Sequence, residues 1–244
     1  MSSTSVYVVS LLRSPDRRDS VSKELSDKGI EFTFFDAVDG HLGVPAIAAD
    51  YNYAKRLWLT SGKMPSRGEL GCYASHYLLW LKCISEGKPI VVCEDDIELD
   101  VNAATIIEFA LRNVEKYGFI RLEPIENGGE STLVYQEGDF SINLMKDNFG
   151  GTRAYAISPD AASRLVKHRW SLPVDCFIGA NYMHGVYSYQ LSPCLVATHI
   201  NEESTIQVAD GLKTPTYRKF SRELYSGYKA WMLNRMYKKK LTSM

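Results

Sequence analysis

The sequence predicts an α/β domain with a largely parallel sheet, and three observations lead there. Short β-branched apolar runs alternate with longer stretches of helical period. The run Ile90 to Cys93 in "KPIVVCEDDIELD" reads as a fully buried strand, and the carboxylates Glu94, Asp95 and Asp96 follow it directly. Open sheets of this kind bind ligands beyond the carboxyl ends of their strands. Three adjacent anions repel one another, so their place beside a core strand requires a cation or a set of donors.

Taken in order, Val6 to Leu11 reads as the first strand. "RSPDRRDSVSKELSDKG" follows as a helix, with Pro15 at its start, Val21 and Leu25 at helical spacing and Gly29 as its stop. Ile30 to Phe35 is a second strand, closing in a turn with Asp36, Asp39 and Gly40. "SRGELGCYASHYLLWLKCISEG" reads as a capped helix from Ser66, ended by Gly87, with Leu70, Ala74, Leu78 and Leu81 expected on the buried face. After the Ile90 to Cys93 strand, a helix covers Asn102 to Tyr117 and "GFIRLE" is a further strand. The pattern then weakens to a loop and a hairpin built from "STLVYQ" and "FSINLM". "GGTRAYAIS" is again a strand, Ser158 or Pro159 opens a helix through Val166, and "VDCFIGANYM" is a short helix.

Composition narrows the class. With 244 residues, 45% hydrophobic and 23% charged, the chain can bury an ample core in one large or two small domains. A net charge of -1 provides no general attraction to nucleic acid. The five cysteines are odd in number and lack CxxC spacing, so reduced thiols are expected rather than a disulfide framework or zinc knuckle. The apolar run Val6 to Leu12 is too short for a signal peptide or a membrane span, and a cytoplasmic location is expected. Neither a Walker A pattern nor GxGxxG is present, so P-loop and dinucleotide-dependent redox roles have no motif support.

In an extended segment Glu94 and Asp96 leave on one face and Asp95 on the other. Such a pair of hard oxygen ligands suits Mg²⁺ or Mn²⁺, although a solvated acidic turn would carry the same residues. The segments "VYVVSLLRSPDRRDSV", "FTFFDAVDG", "RGELGCYASHYLLW", "VVCEDDI", "GGTRAYAIS" and "LPVDCF" occur in this order. Together they resemble glycosyltransferase family 25, the bacterial lipooligosaccharide galactosyltransferase group, over about Val6 to Thr205. The resemblance implies a GT-A-type nucleotide-sugar-binding fold, a Rossmann-like mixed sheet flanked by helices. It also implies inverting, metal-dependent transfer of a hexose, galactose from UDP-galactose or glucose from UDP-glucose, onto a lipid-linked oligosaccharide acceptor.

On that resemblance Glu94 and Asp96 are expected to hold Mn²⁺ or Mg²⁺, with Asp95 facing the ribose or a water. A Glu in the first position departs from a literal DxD motif. His199, ending "CLVATH", is a further candidate ligand or a structural histidine. Asp175 in "LPVDCF" is the candidate base, with a helix N-cap as its alternative. Arg13 and Arg17 face the nucleotide or form a solvated helical turn. Asp36 and Asp39 close the second strand and are candidates to bond the uridine, Asp36 the better one, while turn chemistry alone would also explain Asp39-Gly40. His76 reaches the donor or packs in its helix. Gly150 and Gly151 permit close backbone approach to a sugar or form a bulge.

Residues 1–210 are expected to form the catalytic domain and 211–244 a basic amphipathic helical tail. In that tail Phe220, Leu224, Tyr228 and Trp231 make one helical stripe among many lysines and arginines, which suits an anionic membrane surface. The expected place is therefore peripheral, on the inner face of the bacterial inner membrane; a helix docked with its aromatics buried is the alternative. Two other functions compete: a non-catalytic nucleotide-sugar or glycan-binding protein of the same fold, and a Mg-dependent phosphoryl-transfer or receiver module. Receivers place their acidic pair after the first strand, where this sequence has arginines.

Overall fold

The computed structural model describes residues 5–125, 129–197 and 215–244. β1 (Val6–Ser10) leads through α1 (Pro15–Asp27) to β2 (Thr33–Asp36). α2 (Tyr53–Lys55) runs into a π-helical turn at Arg56–Thr60, followed by α3 (Arg67–Glu86), β3 (Ile90–Glu94) and α4 (Ala103–Tyr117). β4 (Phe119–Arg121), the hairpin of β5 (Ser131–Glu137) and β6 (Phe140–Met145), and β7 (Ala154–Ile157) come next. Then α5 (Pro159–Leu165), α6 (Val174–Ile178), α7 (Asn181–His184), β8 (Ser188–Ser192) and α8 (Lys219–Thr242) complete the order.

The eight strands form one sheet in the order β2-β1-β3-β7-β4-β8-β6-β5. β1 runs parallel to both β2 and β3, whereas β7 lies antiparallel between β3 and β4. β4 and β8 are parallel, and β6 is antiparallel to both β8 and β5. The sheet is therefore mixed, and the parallel pairing expected from the alternation is limited to β2-β1-β3 and to the β4-β8 pair. Strand direction leaves no mark on side-chain period, so alternation alone could not reveal that β7 reverses. β8 has no clear sequence signal, because its buried Ser188 and half-buried Gln190 interrupt the apolar pattern.

Period two explains the continuous apolar runs. Val6 and Val8 of β1 and Val91 and Cys93 of β3 point into the core beneath α1 and α4, while Tyr7, Val9, Ile90 and Val92 point into the core beneath α3 and α5. Both faces of these strands are buried, giving three layers. In α3, Ser66 Oγ accepts from Glu69 N–H at 3.1 Å and Gly87 closes the helix at φ +63°. Its buried face differs from the expected stripe. Leu78 and Leu81 are exposed, while Tyr73, Leu79, Trp80 and Cys83 join Leu70 and Ala74 inside, because the two large rings set which side meets the sheet.

α8 docks on the rest of the chain. Ser221 Oγ and Arg222 Nε donate to the carbonyls of Trp58 and Thr60, and Leu233 and Tyr237 are buried. The Tyr237 hydroxyl lies 2.6 Å from Thr132 Oγ1 on β5. Phe220, Leu224, Tyr228 and Trp231 remain exposed, so the docked face is not the aromatic stripe.

Candidate functional site

A cleft opens where β1 and β3 end side by side. Their register pairs Val9 with Glu94, which sets Ser10 beside Asp95. Ser10 Oγ donates to Asp95 Oδ2 at 2.5 Å, and Arg17 from the first turn of α1 lies 3.3 Å from Asp95 Oδ1 and 3.7 Å from Asp96 Oδ2. Asp95 thus faces the β1 end and Arg17. Asp96 has one buried carboxylate oxygen, Oδ1, with no hydrogen-bond partner. Burial and the neighbouring Glu94 push its carboxyl up to about 6, against the pull of Arg17.

α3 forms the opposite wall, and the "GELGCYASH" segment explains how. A Cβ on Gly71 would stand 2.5 Å from the Val38 carbonyl oxygen, so only glycine lets the loop after β2 lie against the helix. One turn later Ser75 Oγ accepts from Val38 N–H and donates to the Gly71 carbonyl, each at 2.8 Å. Cys72 and His76, also one turn apart, therefore line the cleft. His76 Nδ1 lies 2.9 Å from the Tyr155 hydroxyl, and its Nε2 lies 3.6 Å from Glu94 Oε1. Burial, with Glu94 and Asp175 nearby, raises the Cys72 thiol well above its ordinary value.

Behind β3 a charged network holds the next loop. Glu123 is buried, and its carboxylate accepts from the Arg153 backbone N–H at 3.0 Å and from Arg153 Nε at 2.8 Å. Arg121 lies 3.7 Å from Glu123 and donates to Asn148 Oδ1 and to the carbonyls of Glu123, Pro124 and Gly150. Gly150 and Gly151 adopt φ +90° and +83°, and a Cβ on Gly151 would meet the Glu123 carboxylate at 2.7 Å. Both glycines wrap this network, and Thr152 beyond them donates to Glu94 Oε1 at 2.7 Å. Burial pushes Glu94 up, but His76, Thr152 and Arg153 outweigh it and hold the carboxyl below its ordinary value.

The structure brings Arg13, Arg17, His76, Glu94, Asp95 and Asp96 into one cleft. Asp36 lies outside that lining: it is largely exposed and pairs with Arg18. Asp39 takes its place, accepting from Arg13 Nε at 2.6 Å and from His41 N–H at 2.9 Å. The strand-end pattern favours Asp36 in the sequence, but β2 turns it away. Asp175 sits in the first turn of α6 and caps nothing, since Pro173 holds the N-cap position. Its carboxylate bears on Cys72, Glu69 and Cys176. His199 lies outside the described residues.

Sequence reasoning missed Cys72, Ser10, Thr152 and the Arg121–Glu123–Arg153 network. The i, i+4 spacing of Cys72 and His76 on one helix was the available signal; the others depend on contacts between distant segments. The residues present suit a divalent ion: Asp96 Oδ1 is orphaned beside Glu94, and ligand atoms of Cys72, His76 and Glu94 lie within 4.8 Å of one another. Among the described residues all five cysteines are free thiols, as expected, and no helix is long and apolar enough to cross a membrane.

The class is an α/β protein with an acidic cleft at the carboxyl ends of two parallel strands, the place where open α/β sheets bind ligands. Residues 3–178 match the model of glycosyltransferase family 25 (LPS biosynthesis protein), and the chain belongs to that family. It is 29% identical over 216 residues to the lipooligosaccharide biosynthesis protein lic2B of Haemophilus influenzae, covering 84% of this chain and 74% of that one. A lacto-N-neotetraose biosynthesis glycosyltransferase of Neisseria meningitidis serogroup B is 25% identical over 80% of this chain and 74% of its own length. The inactive glycosyltransferase 25 family member 3 of Homo sapiens is 32% identical over 45% of this chain, which spans 19% of that protein.

Proposed function

We propose that this glycosyltransferase moves a hexose, galactose from UDP-galactose, with inversion onto a lipid-linked saccharide in lipooligosaccharide core synthesis. The observation that carries the reading is the orphaned oxygen of Asp96 beside Glu94, in a cleft lined by Arg13 and by Arg17, which lies 3.7 Å from Asp96. Asp96 and Glu94 would hold Mn²⁺ or Mg²⁺, with ligand atoms of His76 and Cys72 within 4.8 Å of that of Glu94. When bound, that ion supplies the positive charge that stabilises a departing diphosphate. Ser10 and Arg17 fix Asp95, and Thr152 and His76 fix Glu94, so the carboxylates are oriented before any ligand arrives. Arg13 and Asp39 tie together the two loops at the cleft rim.

Asp175 is the base in this reading. Its carboxylate takes the proton of an acceptor hydroxyl as that oxygen bonds to the anomeric carbon and the bond from that carbon to UDP breaks. Residues 1–210 are the catalytic part and 211–244 the attachment part; the exposed Phe220, Leu224, Tyr228 and Trp231 meet an anionic bilayer at the inner membrane.

The test is UDP release from UDP-galactose and UDP-glucose with Mn²⁺ and a lactosyl or glucosyl acceptor. Release that needs metal and acceptor, and that slows at least a hundredfold in Asp175→Asn while UDP still binds, is the expected result. Metal-dependent UDP binding with no release from either donor would make the chain a binding protein, in keeping with the match to an inactive family member.

A further inference from the structure

A second cavity, of about 590 Å³, lies between the π-helical turn, the start of α6, α7 and α8. Its wall includes Cys176, which follows Asp175, while Cys72 in the acidic cleft senses the same carboxylate. Asp175 lines neither space, but its carboxylate acts on Cys72 at the cleft and on its neighbour Cys176 at the cavity. The cavity has the opposite charge: four cations, Arg56, Lys219, Arg222 and Lys229, against the single carboxylate of Glu223.

The cations are not equivalent. Arg56 is committed to Glu69 at 2.8 Å, and Lys219 lies 3.7 Å from Glu223 with both side chains exposed. Arg222 and Lys229 are half-buried. Arg222 Nε donates to the Thr60 carbonyl at 3.0 Å, and Lys229 stands 4.6 Å over the Phe149 ring. Among the described residues neither forms an ion pair with a carboxylate. Both contacts orient the side chain without supplying a counter-charge from the described residues, which a partly desolvated site tolerates when an anion completes it. Arg222, Tyr225, Ser226 and Lys229 follow one another at i, i+3, i+4 and i+7, so one face of α8 supplies cations and hydroxyls together. The exposed aromatic stripe occupies another face of the same helix.

We infer that this cavity is a subsite for an anionic group, a phosphate or a carboxylate, carried by the acceptor saccharide, which it holds with a hydroxyl toward Asp175. The inference rests on the transferase reading for what the saccharide receives, and on the cavity alone for what it binds. A neutral disaccharide is then a poor acceptor, and an anionic one is selected by α8.

The experiment uses the full chain and calorimetric titration with glucose 6-phosphate, glucose, and UDP with Mn²⁺. Glucose 6-phosphate should bind at least tenfold tighter than glucose, with saturating UDP and Mn²⁺ present as well as absent. Arg222→Gln and Lys229→Gln should each lower that preference about tenfold, and the double variant should erase it while UDP still binds. The single variants keep the test open should the double one melt early. Equal binding of the two sugars, survival of the preference in the variants, or displacement of glucose 6-phosphate by UDP would each overturn the subsite. So would loss of pelleting with phosphatidylglycerol vesicles in the same variants with the sugar-phosphate preference intact, which would assign these cations to lipid headgroups. Failure of the wild type to bind or release UDP would strike the transferase reading and leave the sugar-phosphate comparison standing.

Discussion

The acidic cleft at the ends of β1 and β3 and the basic cavity under α8 are built by opposite means. At the cleft and behind it, charge is compensated by close partners: Glu123 serves Arg121 and Arg153, Ser10 and Arg17 serve Asp95, and among the described residues of the cleft only Asp96 keeps a buried oxygen without a partner. At the cavity, Arg56 alone is buried and paired, with Glu69, the Tyr182–Tyr225 hydroxyl pair adds a neutral contact, and Arg222 and Lys229 lie half-buried on one face of α8. The cleft is thus a preorganised electrostatic site whose rigidity depends on its ion pairs. The cavity is a docked-helix site, in which Arg222 also helps to dock α8 through the Thr60 carbonyl while Lys229 contacts only the Phe149 ring.

The largest effect should come from breaking the cleft's support. Glu123→Leu removes the carboxylate that two arginines share in a buried place, and should cost about 4 kcal/mol in urea unfolding; a loss under about 1 kcal/mol would show that the network is not what holds the loop of Thr152. On the cavity side, the comparable effect is set by acid. His184 on α7 is buried, its Nδ1 accepts from Val186 N–H and its Nε2 meets the Phe177 carbonyl, an arrangement that suits the neutral ring. Burial lowers its pKa from 6.5 to about 4. The unfolded chain then binds the proton first, so this contribution is complete above pH 6.5 and is lost as pH falls toward 4, by about 3 kcal/mol. His184→Gln should flatten that part of the stability profile, and an unchanged profile would remove His184 from the account.

Asp96→Asn comes next and separates function from stability. Metal-dependent UDP binding should fall about a hundredfold, whereas the melting temperature should hold or rise, because a desolvated carboxylate beside Glu94 is gone. In the wild type the same binding should weaken as pH drops below about 6, where Asp96 takes up a proton. A variant that melts early and binds UDP normally would mean that Asp96 is structural. The smallest effect belongs to the aromatic stripe. Phe220→Ala with Trp231→Ala should reduce pelleting with anionic vesicles about tenfold and change stability by no more than about 0.5 kcal/mol. Lower stability with unchanged pelleting would place those rings in the fold rather than at a lipid surface.

Most of the helices and strands were legible because each is announced locally: Ser66 and Gly87 bracket α3, Ser158 caps α5, and the apolar runs of β1 and β3 have no other use than a strand buried on both faces. The acidic triplet and the arginines of α1 were legible for the same reason, since motif residues at strand ends lie close in sequence. Asp36 shows the limit. It and Asp39 are equally good as letters, and only the direction in which β2 delivers them separates an exposed partner of Arg18 from a residue of the cleft. The aromatic stripe of α8 is legible as a stripe, yet the face that docks is set by the carbonyls of Trp58 and Thr60, which sequence period does not name.

By itself, then, the sequence determined the α/β class, the acidic end of the central strand and the family, because local propensity, side-chain period and short motifs carry that information along the chain. Tertiary structure alone decided the reversal of β7, the support of Glu94 by Thr152 and His76, the orphaned oxygen of Asp96, and the meeting of α8 with the π-helical turn to enclose a basic cavity. Each of these depends on pairs of segments far apart in the chain, and nothing in the period of either partner specifies the other.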